Sequence, residues 1–136
     1  MSDYRLDIPG PRLVDADAPL LLRAEARELS PYVTVVEVRG DLDELTAPRF
    51  RAWLSERLVG LADVVLDLDG LTFMASSGIA VLMGLRKDAH RLGVRLHLTG
   101  RRNRTVWRPL QVLGLESTFN LQDDAHSVVA DLILSG

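Results

Sequence analysis

The stretch LTFMASSGIAVLMGL, Leu71–Leu85, decides how this chain is read. Just before it, Val64, Val65, Leu66 and Leu68 form a short apolar run closed by Asp69 and Gly70, which is the pattern of a buried strand. From Ser76 onward, SSGIAVLMGLRKDAHRLG reads as a helix running from a serine cap to a stop at Gly93. Arg86, Lys87, His90 and Arg91 fall in its later turns, where the helix dipole favours cations. Two serines and a glycine between strand and helix either begin the helix or carry chemistry.

Working outward, the segments alternate. YVTVVEVRG (32–40) sets Val33, Val35 and Glu37 against Thr34, Val36 and Val38, a strand pattern rich in β-branched residues. LLLRAEARE (20–28), one LSP turn earlier, is read as its antiparallel partner, with a helix over 20–27 as the other option. Thr46 is a candidate N-cap, with Pro48 tolerated in the first turn. Beyond it Phe50, Trp53, Leu54, Leu58 and Leu61 recur at helical spacing between charged residues.

Downstream, VRLHLTG (94–100) is a strand and RTVWRPLQVLG (104–114) a short helix that Pro109 should shorten or kink by removing one amide bond. TFNL (118–121) is a possible edge strand, and Asp123 to Leu134 a last helix. Strands alternating with helices need right-handed crossovers and a parallel sheet. The expectation is one α/β domain over 20–136: a mostly parallel sheet of about four to five strands with an antiparallel first strand, and about four helices. Residues 1–19 hold three of the six prolines and no sustained period. They are read as an extension, mobile or draped over the domain.

Composition bounds the function. The 136 residues are 47% hydrophobic and 26% charged, a globular balance, and only 5% aromatic, so the core is mainly aliphatic. Sixteen basic against nineteen acidic residues leave a net charge of -3, which gives no global attraction for nucleic acid or an anionic membrane. Without cysteine there are no disulfides, thiolate ligands or thiol nucleophiles. No apolar run approaches the roughly 20 residues that span a bilayer, and the start lacks the pattern of a secretory signal, so a cytoplasmic location is expected.

Loops after successive parallel strands emerge on one sheet edge. This should bring GDLDEL (40–45) beside the serines, with Asp41 and Asp43 near Ser76 and Ser77. A serine nucleophile needs a base and an oxyanion site. His90 is about three turns from Ser76 at ~1.5 Å per residue, and His97 and His126 lie on other elements, so none can serve. Neither metal-ligand spacing nor a phosphate-binding glycine motif is present, and no enzyme and no cofactor are expected. Arg101, Arg102, Arg104 and Arg108 around Trp107 read as a solvated turn with the indole dipping into the core rather than as an anion patch. One serine is expected to cap while its neighbour stays exposed. Ile79, Ala80, Val81, Leu82, Met83 and Leu85 leave the first two turns apolar all round, more than one sheet face needs. The surplus suggests a protein docking patch, unless the extension covers it.

VTVVEVRGDLDELTAPRF (33–50), VVLDLDGLTFMASSGIAVLMGL (64–85) and LHLTGRRNRTVWRPLQVLGLESTF (96–119) resemble successive blocks of a STAS domain, most closely the bacterial anti-sigma factor antagonists. The resemblance covers about Leu20 to Leu134 and implies a switch. Such proteins bind an anti-sigma factor that is also an ATP-dependent serine kinase, and so free a sigma factor for transcription. The kinase phosphorylates the serine matching Ser76, and a serine phosphatase resets the protein. The partner-binding positions it implies are Asp41, Asp43, Ala75, Ser76, Ser77, Gly78, Ile79, Leu82 and Met83. The family's aspartate before the serines is Ala75 here. Two other readings are a STAS scaffold without the phosphoswitch, for example an accessory subunit in lipid transport, and a small-ligand sensor.

Overall fold

The structure, a computed structural model, describes residues 4–10 and 20–135. β3 (Val33–Leu42) is apolar on both faces over its first half, which suits a central strand covered on both sides. It pairs antiparallel with β2 (Leu20–Glu28) and parallel with β4 (Asp63–Met74), in a register that sets Val33 against Asp63 and Leu42 against Met74. β1 (Tyr4–Pro9) extends the sheet antiparallel to β2, and β5 (Arg95–Thr99) extends it parallel to β4. The spatial order is β1-β2-β3-β4-β5. The α/β class is as expected, while the sheet is evenly mixed, two antiparallel pairings followed by two parallel ones.

β1 corrects the expectation that ordered structure begins at Leu20. Tyr4, Leu6 and Ile8 line up against Ala26, Ala24 and Leu22 on the core side, and Arg5 and Asp7 face Glu25 and Arg23 on the other. Ile8 is only 4% exposed, so the segment buries a side chain and saturates the β2 edge. The rest of the expected extension, residues 1–3 and 11–19, lies outside the described residues. The strand reading of 20–28 holds over the helical option.

α1 (Ala47–Leu58) and α2 (Ser76–Leu92) lie on one face of the sheet. Phe50, Leu54, Leu82 and Leu85 pack there against Val36, Val38, Leu66 and Leu68, none more than 1% exposed. α2 stops where expected, with Gly93 in the left-handed conformation at φ 73° and its N–H returned to the carbonyls of Ala89 and His90. α5 (Ala125–Ser135) crosses the other face, where Val128, Val129 and Leu132 meet Val33, Val35 and Val65. The remainder of that face carries charge, with Arg23 bonded to Asp7, and Arg27 and Arg39 to Glu37.

α3 (Arg104–Val112) continues through Pro109. The helix is short, nine residues, and is not broken at the proline, which removes one i to i−4 bond; the helix closes on Leu113 N–H to Pro109 O at 3.2 Å. TFNL is not an edge strand. Glu116–Phe119 forms a single helical turn, α4, because the chain reverses at Gly114 and Phe119 is drawn into the core at 6% exposure. Sheet pairing there is reduced to one bridge, Thr99 with Gln122.

Candidate functional site

The site forms where β4 passes into α2. Ala75, with φ −84° and ψ 172°, is the N-cap, and it has no side-chain acceptor to offer. The expected serine cap is therefore corrected: both serines lie inside the first turn. Ser76 points its residue to solvent, whereas Ser77 is half-buried with its hydroxyl sealed from water and unpartnered. The two hydroxyls differ in access, although they are neighbours in sequence.

Leu42, at the end of β3, locks this junction to the β3–α1 loop. Its carbonyl accepts the Ala75 N–H at 2.9 Å. Gly78 lies against the same carbonyl, so closely that a Cβ there would come within 2.8 Å of it. Only glycine allows the helix to start this near the strand end. The flanking aspartates are occupied locally. Thr46 is the N-cap of α1, as expected, but its side chain makes no cap hydrogen bond; Asp43 Oδ1 accepts the N–H groups of Leu45 (2.9 Å) and Thr46 (3.0 Å) in the turn before the helix. Thr46 Oγ1 instead donates to the Asp41 carbonyl at 2.6 Å, and the Asp41 carboxylate accepts from Thr72 Oγ1 at 2.9 Å. The sheet thus brings Asp41, Asp43 and the serine junction together through Leu42, but among the described residues neither carboxylate bonds to a serine.

Along α2 the exposed residues Ser76, Ala80, Met83 and Lys87 follow one another at steps of four, three and four, which is one outward stripe, and Arg86, His90, Arg91 and Leu92 widen the exposed surface toward the end of the helix. Ile79 (6% exposed) and Leu82 (0%) were expected in the docking patch and are core residues instead. Gly78 is buried as well. The helix sits on α1 and the sheet through these side chains, so they cannot meet a partner without unfolding. Two apolar residues that sequence reasoning missed are exposed close to the site in the fold: Leu45 (71%) in the loop that Asp43 caps, and Phe73 (51%), paired with Asp41.

Behind the stripe, Asp88 joins α2 to α1. It accepts from Arg51 Nε (3.2 Å) and Nη2 (3.3 Å) and from Ser55 Oγ (2.8 Å), and the Arg51 hydrogen bonds hold its carboxyl below the ordinary range. His90 is exposed at the far end of α2, and His97 is bonded to Asp63 at the opposite end of the sheet. Asp63 is held low chiefly by its two hydrogen bonds from Arg95, working against burial.

Asn103 also escaped the sequence reading. Its Oδ1 caps α3 by accepting the Thr105 N–H, while its Nδ2 donates to the carbonyls of Leu68, Asp69 and Leu71 at 2.9–3.2 Å. This holds the irregular part of β4 just before the site. Nearby Asp69 is raised above the usual carboxylate range by burial and by Asp67 and Asp124. The basic cluster is exposed at Arg101, Arg102, Arg104 and Arg108 with Trp107 half-buried beside Leu110, in line with the solvated-turn reading.

A strand-to-helix junction with Ser-Ser-Gly, clasped by the end of the neighbouring parallel strand, lies within residues 24–128, the span matched by the sequence model of the STAS domain. The chain belongs to the STAS domain family. Its fold is shared with the anti-sigma factor antagonist SpoIIAA in its unphosphorylated form, at 20% identity and TM-score 0.68 over 83% of this chain and 97% of that one. An anti-sigma factor antagonist from Mycobacterium paratuberculosis matches at 24% identity and TM-score 0.69, over 88% and 97%. The STAS domain of a SulP transporter from Vibrio cholerae matches at 17% identity and TM-score 0.62, over 80% and 86%. Among the described residues of this STAS protein, no helix is long and apolar enough to cross a membrane.

Proposed function

We propose that this STAS protein is an anti-sigma factor antagonist and a binding module rather than an enzyme. It docks an anti-sigma factor serine kinase through Ser76, Ala80 and Met83 with Leu45 and Phe73, and phosphorylation of Ser76 ends the complex. A serine phosphatase restores it, and the whole cycle is cytoplasmic. The observation that carries this reading is the contrast between an exposed Ser76 at the first position of α2 and a sealed Ser77 hydroxyl. A kinase finds one acceptor there, not two. Two of the similar structures are anti-sigma factor antagonists, which supports the role.

The physics of the switch follows from the position. A phosphate adds about −1.5 to −2 charges at pH 7. At the first turn of α2 it meets helix amides that have no intrahelical acceptor, so the fold tolerates it. A docked partner does not. Charge would be introduced beside Asp43 and at the head of the apolar stripe, where burial demands desolvation. The test is intact-mass spectrometry after incubation with ATP and an anti-sigma factor serine kinase, for the wild type and Ser76→Ala. One phosphate on the wild type and none on the variant supports the switch; a wild type that is neither bound nor labelled by such kinases rules it out.

Ala75 favours a second reading. The family aspartate at this position is missing, and with it a carboxylate that a kinase could recognise. A STAS scaffold that binds constitutively would form the complex without ever being labelled.

A further inference from the structure

The free edge of β1 carries a self-complementary pattern. Among the described residues β1 pairs only with β2, whereas β5, at the opposite edge of the sheet, takes a bridge from Gln122 at Thr99. An edge strand presents a row of unpaired N–H and C=O groups, and folds commonly blunt it with a bulge or an inward-facing charge. Between Tyr4 and Ile8, β1 has neither. Its register against β2 is regular there and shifts only at Pro9, and the residues it turns to the core side are Tyr4, Leu6 and Ile8.

The order of side chains along β1 selects what can pair with it. Two copies of one strand pair antiparallel about a two-fold axis normal to the sheet, which keeps each sheet face on its own side and therefore centres on a single residue. With the axis at Leu6, Arg5 stands opposite Asp7 of the second copy, Tyr4 opposite its Ile8, and Leu6 opposite its Leu6. Every facing pair is then opposite in charge or apolar on both sides, the combinations that stabilise a sheet. Moved by one residue, the axis would set Arg5 against Arg5 or Asp7 against Asp7, and like charges directly opposite are destabilising. One register is favoured and its two neighbours are not.

The neighbouring strand continues the pattern. Within the chain Arg5 is in register with Glu25 and Asp7 with Arg23, with Arg5 Nη1 4.0 Å from Glu25 Oε1 and Arg23 Nε 3.0 Å from Asp7 Oδ1. Across two copies each row would run Glu25, Arg5, Asp7, Arg23, alternating in sign without a break. On the core side Tyr4, 44% exposed, and the partly buried Leu6 leave apolar surface at the edge for a second copy to cover. We propose that the chain associates with a second copy of itself through antiparallel pairing of Tyr4–Ile8 about Leu6, joining two five-stranded sheets into one. The strand supplies far fewer than the ~20–30 residues a side of a standard stable interface, so the association is reversible and concentration-dependent. It does not rest on the proposed function.

The test is sedimentation equilibrium of the full chain from about 10 μM to about 1 mM, with backbone amide signals followed over the same range. A monomer–dimer equilibrium is expected within it, with concentration-dependent shifts centred on Leu6. Arg5→Glu and Asp7→Lys each set like charges in both facing charge pairs, and each should weaken self-association at least about tenfold. Mixed in equal amounts, the two variants restore opposite charges in both pairs and should associate within about threefold of wild type, a recovery that damage to the fold would not produce. Wild-type protein mixed from 13C-labelled and unlabelled copies should also show a contact between the Leu6 methyls of different copies, which needs no variant. A wild type that stays monomeric throughout, or a dimer lacking the Leu6 contact, would overturn the proposal. So would a folded charge variant that associates as tightly as wild type, or two folded variants that gain nothing on mixing.

Discussion

The two sides of α2 have opposite tasks although their residues alternate in sequence. Ile79, Leu82, Leu85 and Ala89 face the sheet and α1 at 0–6% exposure, and they hold the helix to the core. Ser76, Ala80, Met83 and Lys87 face outward. Under the proposed function, the difference makes stability and recognition separable at single-residue resolution. Neighbours such as Leu82 and Met83 should give opposite phenotypes.

The sharpest way to break this division is Leu82→Ala. Removal of a fully buried leucine should cost about 2–5 kcal/mol in urea denaturation, because the site loses both transfer free energy and packing. A loss below about 0.5 kcal/mol would mean that the sheet-facing side does not hold α2. Next is Gly78→Val, which places a branched side chain against the Leu42 carbonyl and the Met74 side chain. The overpacking should cost about 1–3 kcal/mol and shift the amide signals of both the Asp43 loop and the serine junction. Movement in one loop alone would contradict the clasp at Leu42.

In the opposite direction, Ala75→Asp supplies the missing cap acceptor at the start of α2. It should stabilise the protein by about 0.5–2 kcal/mol, read as a higher melting temperature, with the helix dipole acting in the same sense. Smaller again is the Asp88 clasp. Its carboxyl is held below the ordinary aspartate value by the Arg51 hydrogen bonds, so its contribution is present above that value and fades as pH falls through the lower folded value. Asp88→Asn should flatten this part of the acid dependence and cost up to about 1 kcal/mol at neutral pH. The smallest effect on stability belongs to Met83→Ser, within about 0.5 kcal/mol of wild type, while affinity for the kinase should fall about tenfold or more.

The sequence disclosed the parts whose signal is local. The apolar run of β4, the amphipathic spacing of α1 and the glycine stop of α2 were readable because each depends on a few adjacent residues. β1 was readable in principle, since Tyr4, Leu6 and Ile8 alternate with Arg5 and Asp7, but nearby prolines obscured it. The side chains that cap were misjudged at both helices. The Asp43 carboxylate orders the turn before α1 while the Thr46 side chain caps nothing, and Ala75 rather than a serine precedes α2, because composition rules do not choose among neighbouring candidates. The outward side of α2 was not readable at all. A helix apolar all round has no preferred azimuth in sequence; contact with α1 and the sheet chose Ile79 and Leu82 for the core and left Met83 outside. Asn103 was equally hidden, since its ties to three β4 carbonyls join residues more than thirty apart.

The central claim is that the outward stripe docks a kinase and that Ser76 decides whether it can. Calorimetric titration of an anti-sigma factor serine kinase with the unmodified protein and with its phosphoserine-76 form tests it most directly. The account predicts that phosphorylation weakens binding at least about tenfold, or about 1.4 kcal/mol, with both forms equally folded. Equal affinity for the two forms would contradict it.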